Sequence, residues 1–262
     1  MNRPNREPLS NASPPVAAWR TAPERPPLGS DEVHVWRASL DQPPSQVESL
    51  FQILSADERA RAACFYFQRD REHFIVARAA LRMILGRYLD AEPRLLRFRV
   101  SHYGKPSLAD EYGDGAIRFN LSHSGRLALY AIARNRELGI DLELVREDLA
   151  DEEVARRFFS TLEVAVLRSI PEPIWARAFF NCWTRKEAYI KALGEGLSHP
   201  LHEFDVSLVP GDPAALVSTR RDPREASCWS LRALDPGADY AAALAVRGHV
   251  LRLKCWNWCV EQ

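Results

Sequence analysis

The sequence lacks the features that mark several large classes of protein. Its five cysteines are odd in number and show no CxxC spacing, so neither a disulfide framework nor a zinc site is predicted. No charged start followed by an apolar run indicates a signal peptide, and no apolar run is long enough to cross a bilayer. A reduced, cytoplasmic location without a membrane partner is therefore expected.

The chain also lacks an excess of charge of either sign. Lysine plus arginine and aspartate plus glutamate each number 35 in 262 residues, which argues against a general binder of nucleic acid or anionic membranes. A phosphate-binding loop of the Walker type is absent, because no glycine-rich turn joins a strand to a helix. With 46% hydrophobic residues, the chain can still build a substantial core, for one large domain or two ordinary ones.

Proline is concentrated at the start of the chain. Residues 1–30 contain seven of the eighteen prolines and no periodic apolar pattern, which predicts a disordered tail. Order is predicted to begin with the short alternating strand "EVHVWRA", residues 32–38.

The remainder of the chain shows one order of elements twice. A strand, helical segments and three strand-like runs occupy residues 31–135, and the same order recurs in residues 136–262 before a last apolar run that could form a final strand. Ser55 followed by Glu58 fits a capping box at the first helix start. The repeated order predicts two similar α+β halves, an N-terminal half over 31–135 and a C-terminal half over 136–262.

Two acids stand in the otherwise apolar strand "LGIDLELV", residues 138–145. Because side chains alternate along a strand, Asp141 and Glu143 share one face, and Ile140, Leu142 and Leu144 share the other, which is predicted to face the core. Like charges about 7 Å apart repel by about 2 kcal/mol at an effective dielectric of about 20. Two interpretations are open here: an edge strand with a hydrated outer face, or a positive group held between the acids.

Three further segments carry candidate functional side chains. In "FNCWTRKEAYIKAL", Glu187 and Lys191 share one helix face, where an ordinary salt bridge is the simplest interpretation, and the neighbouring Lys186 is predicted to be solvated. In "FNLSHSG", the polar turn "SHSG" joins two strands, either as a plain hairpin or with His123 contacting phosphate. In "YGKP", the glycine lets backbone approach a ligand, and Lys105 can point its charge at phosphate.

Together with the strand at 138–145, these segments supply three carboxylates, two lysines and a histidine: Asp141, Glu143, Glu187, Lys105, Lys191 and His123. Carboxylate oxygens without cysteine or histidine ligands suit Mg²⁺ rather than Zn²⁺, and Mg²⁺ keeps waters and shares phosphate oxygens. The residue types alone therefore indicate Mg²⁺-assisted chemistry on a phosphate-bearing substrate.

The motifs "YGKP", "FNLSHSG", "GIDLELV" and "WTRKEAYIKALGEGL", in this order and spacing, resemble the 4'-phosphopantetheinyl transferase superfamily, in its large, two-halved, surfactin-synthetase-activator type. "RRFFSTLE", residues 156–163, resembles the segment that this family has between its metal strand and its catalytic helix. The resemblance covers residues 33 to 246. It implies transfer of the phosphopantetheine arm of coenzyme A to a serine of an apo acyl or peptidyl carrier protein, with release of 3',5'-ADP.

The resemblance also implies roles for individual residues. Asp141, Glu143 and Glu187 correspond to ligands of Mg²⁺, and Lys191 to the lysine that contacts the pyrophosphate. Glu187 or a metal-bound water is the candidate base for the carrier serine, and Lys191 would counter charge on the departing 3',5'-ADP. The implied coenzyme A contacts are Arg61, Lys105, Pro106, Ser122, His123 and Lys191.

The implied fold is α+β, with two similar halves related by a pseudo-twofold and the active site in the cleft between them. A monomer is expected, because one chain contains both halves. One departure concerns the first helix, where the family carries lysines that meet the 3'-phosphate of coenzyme A. Here Glu58 and Arg61 stand at about those places, and Glu58 cannot bind phosphate, so Arg69, Arg71 or Arg78 could contribute instead.

Two alternatives remain beside a transferase. The chain could be another Mg²⁺-dependent enzyme that acts on a pyrophosphate, such as a nucleotide hydrolase, or a non-catalytic coenzyme-A-binding relative. The presence of both Glu187 and Lys191 disfavours the non-catalytic relative.

Overall fold

The computed structural model of the chain describes residues 18–113, 116–194, 196, 199–249 and 252–260. The helices of these ranges are α1 (Pro44–Phe51), α2 (Ala56–Ala63), α3 (Gln68–Leu89), α4 (Glu152–Phe158), α5 (Thr161–Ser169) and α6 (Glu172–Leu193). Their strands are β1 (Trp19–Thr21), β2 (Glu32–Ser39), β3 (Phe98–Val100), β4 (Pro106–Leu108), β5 (Ile117–Ser124), β6 (Leu127–Arg134), β7 (Leu138–Leu144), β8 (Phe204–Val206), β9 (Leu216–Thr219), β10 (Trp229–Leu234), β11 (Tyr240–Arg247) and β12 (Arg252–Asn257).

The two main sheets repeat one pattern. Their strand orders are β1-β12-β2-β6-β5 and β10-β11-β7, and within them β2-β6-β5 and β7-β11-β10 are equivalent antiparallel triplets. In chain order, the ribbons β3-β4 and β8-β9 each follow the longest helix of their half, α3 or α6, and these helices both have 22 residues. The predicted α+β fold with two similar halves is confirmed.

Four layers build the core. Helices α1–α3 cover the outer face of the first sheet, and α4–α6 cover the outer face of the second. The inner faces of the two sheets pack on each other through Val35, Leu129, Ile140 and Leu244, which are fully buried. Burial of these apolar faces is the main source of stability. Among the described residues, no helix has the length and apolar character needed to cross a membrane.

The two ends of the described chain depart from the predicted division. Strand β1 pairs in parallel with β12, which pairs in parallel with β2, so a C-terminal strand lies in the sheet of the N-terminal half. The predicted disordered tail is wrong for residues 18–30, because Trp19 donates to the Asp235 carbonyl oxygen and Leu28 is buried. These apolar side chains gain burial that the proline-rich composition hides. The rest of that tail, residues 1–17, lies outside the described residues.

Candidate active site

The acidic strand β7 lies directly beneath helix α6. Gly139 permits this approach, because a Cβ at that position would collide with the Ala188 carbonyl oxygen and the Ala192 nitrogen of the helix. Side chains alternate along the strand, so Asp141 and Glu143 lie on the same side of β7 as Gly139 and point toward α6. The predicted division of β7 into a core face and an acidic face is confirmed for Ile140 and Leu142, which are buried between the sheets, whereas Leu144 at the end of the strand is only partly buried.

Asp141 is the buried centre of the site, with only 2% of its surface exposed. Its Oδ1 accepts hydrogen bonds from Lys191 Nζ at 2.6 Å and from Ser122 Oγ at 2.9 Å. Its Oδ2 is also buried but has no hydrogen-bond partner among the described residues. Lys191 therefore forms an ion pair with Asp141 of β7. The simplest interpretation of the sequence was an ion pair between Lys191 and Glu187 on the same helix. An unpartnered buried carboxylate oxygen is costly and favours a bound cation.

Two of the three carboxylates, Glu143 and Glu187, have raised pKa values. Burial raises the pKa of Glu187 to about 7, the charges of Asp141 and Glu143 add to the rise, and Lys191 opposes it. Burial and the Asp141 charge also raise the pKa of Glu143, against a hydrogen bond from Ser124 Oγ to Glu143 Oε2 at 2.9 Å. Protons or a cation would relieve this repulsion.

The donor set fits Mg²⁺, although the described residues do not form a complete metal cage. Within the described ranges, no three histidine, cysteine, aspartate or glutamate side chains converge closely enough to enclose a metal ion. Mg²⁺ seldom has a complete protein cage and fills its octahedron with water and phosphate oxygens. The unpartnered Asp141 Oδ2 and the carboxylates of Glu143 and Glu187 offer the hard oxygens it prefers.

The predicted turn "SHSG" is mostly strand. Residues 122–124 end β5 and pair with the start of β6, so that only Gly125 and Arg126 form the turn, with Gly125 at a φ of +57°. Ser122 is therefore buried against Asp141, while His123 is exposed. Although His123 is exposed as a residue, the surrounding protein atoms partly desolvate its ring, and this desolvation lowers the His123 pKa, with a further lowering from the charges of Lys191 and His73.

Lys105 and Pro106 lie at the other end of β7. Lys105 Nζ donates to the carbonyl oxygens of Leu138 at 3.2 Å and Ala192 at 3.1 Å, and burial lowers the pKa of Lys105. Its ammonium group thus ties the β3-β4 ribbon to the start of β7 and the end of α6, away from the carboxylates. Lys105, Pro106 and Gly194 line a cavity of about 240 Å³.

Glu58 is a structural residue of the first half. It is buried, completes the predicted capping box of α2, and forms ion pairs with Arg78 and with Arg82, the latter at 2.6 Å. These contacts hold α2 on α3, so Glu58 is a core residue, and Arg78 is engaged there as well. Arg61 is exposed in the last turn of α2, with its guanidinium 5.9 Å from the Phe74 ring centre.

Lys186, predicted to be solvated, is fully buried. Its Nζ lies 2.7 Å from Glu163 Oε2 and donates to the carbonyl oxygens of Leu201 at 2.8 Å and Phe204 at 2.7 Å. Glu163 also caps α5 by accepting the Ser160 N–H at 2.8 Å. The prediction of a solvated Lys186 is wrong. The residues next to Lys186 in the sequence give no sign of these partners, because the partners come from other parts of the chain. The buried pair fixes α6 from the side opposite β7, and so holds the helix turn that carries Glu187.

The described residues of the first half hold no copy of the carboxylate set. Trp36 stands opposite the fourth residue of β6, as Asp141 stands opposite the fourth residue of β11. Arg87 and Lys191 are each the twentieth residue of their helices, α3 and α6. The Arg87 guanidinium lies 5.4 Å from the Trp36 ring centre. A cation–π contact in the first half thus corresponds to the Lys191–Asp141 ion pair in the second.

Three residues of the site were not found from the sequence: Asn120, Ser124 and Gly139. Asn120 Oδ1 accepts the Ile140 N–H at 2.8 Å, and Ser124 contacts Glu143. A signal was present, since every second residue of "NLSHS" is polar, which indicates a strand with one polar face. A glycine within a strand, as at Gly139, likewise indicates close backbone approach.

Comparison with known proteins places the chain in a family. Residues 137–245 match the family model described as 4'-phosphopantetheinyl transferase superfamily, and residues 36–135 match 4'-phosphopantetheinyl transferase, N-terminal. The chain is 43% identical over 240 residues to the 4'-phosphopantetheinyl transferase HetI of Nostoc sp., covering 92% of this chain and 98% of HetI. It is 32% identical to the 4'-phosphopantetheinyl transferase Sfp of Bacillus subtilis, covering 64% and 74% of the two chains.

The chain therefore belongs to the 4'-phosphopantetheinyl transferase superfamily. This confirms the resemblance that the four sequence motifs indicated.

Proposed function

We propose that this protein transfers the 4'-phosphopantetheine arm of coenzyme A to a serine of an apo acyl or peptidyl carrier protein and releases 3',5'-ADP. Family membership supports the class of reaction. We place a Mg²⁺ ion at Asp141, Glu143 and Glu187. The observation that carries this placement is the buried, unpartnered Oδ2 of Asp141, beside two carboxylates whose pKa values are raised.

The basic and polar residues around Asp141 would bind the pyrophosphate of coenzyme A. When bound, Mg²⁺ draws negative charge from the phosphates and favours attack at phosphorus. Lys191, whose Nζ is within 3.1 Å of Ser122 Oγ and 2.6 Å of Asp141 Oδ1, would contact the same phosphates and counter the charge that develops on the leaving 3',5'-ADP. His123 would donate to phosphate oxygens from the end of β5, and Ser122 would do so by turning its one hydrogen from Asp141 Oδ1 to the phosphate.

Glu187 would accept the proton of the carrier serine. Burial raises the pKa of Glu187 to about 7 in the metal-free protein, and a bound Mg²⁺ would lower it, so the role as base rests on the position of Glu187 and not on this value. Glu187 lies one helix turn before Lys191, so both side chains can reach the same substrate.

We further propose that the active protein is a cytoplasmic monomer. Both family matches lie within one chain, and Ser122 of the first half bonds to Asp141 of the second, so no second copy is needed to complete the site. All five cysteines are free thiols, which suits a reducing compartment.

Nucleotide analysis tests the proposed reaction. The protein is incubated with coenzyme A and Mg²⁺, with and without an apo carrier protein, and the nucleotides are separated by chromatography. We expect 3',5'-ADP only when the carrier is present. Release without carrier would instead identify a pyrophosphate hydrolase, and binding of coenzyme A without any product would identify a non-catalytic relative.

A further inference from the structure

The two halves meet at the active site through side chains. Strands β5 and β7 lie side by side but belong to different sheets in the described structure. Three alternate residues of β5 bridge to β7: Asn120 to the Ile140 N–H, Ser122 to Asp141, and Ser124 to both Glu143 and the Leu144 N–H. This side-chain ladder satisfies backbone donors that flank the two acids.

Ser124 makes two bonds that fix its hydroxyl group. Its oxygen accepts the Leu144 N–H at 3.0 Å, and its hydrogen is donated to Glu143 Oε2 at 2.9 Å. A hydroxyl group has one hydrogen, so Ser124 can donate to one acceptor at a time, and that acceptor is Glu143 Oε2. The backbone bond in turn anchors Ser124 to the strand that carries Glu143. Ser124 thus links the Glu143 carboxylate to the backbone of the residue that follows it.

We propose that Ser124 is a positioning residue that orients Glu143 for Mg²⁺. This inference rests on the proposed function, because it assigns a supporting contact to the same site. Partners that orient a metal-ligating carboxylate typically change metal affinity by ~10–100-fold when they are removed. Asn120 supplies the matched comparison, since it bonds the β7 backbone at 2.8 Å and is not bonded to either acid among the described contacts.

The test measures Mg²⁺ affinity in two ways. The first is calorimetric titration of Mg²⁺ into the full protein with coenzyme A bound, and the second is the Mg²⁺ concentration that gives half-maximal transfer. We expect Ser124→Ala to weaken Mg²⁺ by ~10-fold or more in both. Most of the transfer rate should return at saturating Mg²⁺. Ser124→Thr keeps the hydroxyl group and should bind Mg²⁺ nearly as the wild type does.

A double-mutant cycle separates positioning from a purely structural role. In a Glu143→Gln background, Ser124→Ala should add little further loss of Mg²⁺ affinity, because the carboxylate it orients is gone. Asn120→Ala should lower the melting temperature while its effect on Mg²⁺ affinity stays additive with Glu143→Gln. If Ser124→Ala does not fold, Ser124→Cys keeps a similar shape with a weak donor and takes its place.

Unchanged Mg²⁺ affinity in Ser124→Ala, or full additivity with Glu143→Gln, would overturn the inference. Its failure is distinct from failure of the proposed function. If the wild type forms no modified carrier but Ser124→Ala still weakens Mg²⁺ by calorimetry, the transferase proposal fails and the positioning role stands.

Discussion

Substitution of Glu187 by glutamine should make the metal-free protein more stable at pH 8 and leave its stability nearly unchanged at pH 4. The folded protein raises the Glu187 pKa from 4.5 to about 7, a difference that corresponds to about 3 kcal/mol. Below pH 4.5 the group is protonated in both the folded and the unfolded protein. Between pH 4.5 and 7 only the folded protein retains the proton, so the free energy of unfolding falls as the pH rises.

Glutamine cannot ionise and escapes that loss. We therefore expect the Glu187→Gln variant to gain up to ~3 kcal/mol over the wild type at pH 8 in EDTA, measured by urea unfolding, with the gain disappearing toward pH 4. Mg²⁺ and coenzyme A should stabilise the wild type more than the variant. Glu147→Gln, a change at an exposed position just beyond β7, is the matched control. The same stability difference at both pH values would refute the reasoning.

Four further outcomes follow from the same contacts. At saturating Mg²⁺, Glu187→Gln should still transfer ~10²–10⁴-fold more slowly than the wild type, and full rescue by Mg²⁺ would remove Glu187 as the base. Lys186→Met should cost ~3–5 kcal/mol in urea unfolding because it leaves Glu163 buried without its charge partner, and a neutral effect would contradict the buried pair. Gly139→Ala should displace α6 from β7 and slow transfer by ~10²-fold in a protein that remains folded by circular dichroism; full activity would show that the helix need not approach so closely. A chain that begins at residue 31 should melt several degrees below one that begins at residue 18, because it loses β1, and equal melting temperatures would show that β1 is dispensable.

Local patterns in the sequence were sufficient to predict which side chains the candidate site brings together. The alternation in β7 separated Asp141 and Glu143 from the apolar residues between them, and helical spacing placed Glu187 and Lys191 on one face. Both predictions depend only on the geometry of a single element. The doubled order of elements likewise predicted the two halves, since each half repeats the same local signals.

Contacts between distant segments could not be predicted in this way. A lysine buried against Glu163 has the same local sequence as a solvated one, so Lys186 was misplaced. Parallel pairing of β1 with β12 joins opposite ends of the chain, and no local pattern near Trp19 specifies its partner. The two carbonyl partners of Lys105 likewise come from distant segments, β7 and α6, and no pattern near Lys105 specifies them.

Intact-mass measurement of a carrier protein tests the central proposal most directly. An apo carrier is incubated with the protein, coenzyme A and Mg²⁺, alongside the same carrier with its acceptor serine changed to alanine. The proposed reaction predicts a mass gain of one phosphopantetheine group on the serine form only, and a loss of that gain when Asp141→Ala replaces the wild type. An unmodified carrier, across acyl and peptidyl carriers and with saturating coenzyme A and Mg²⁺, would contradict the account.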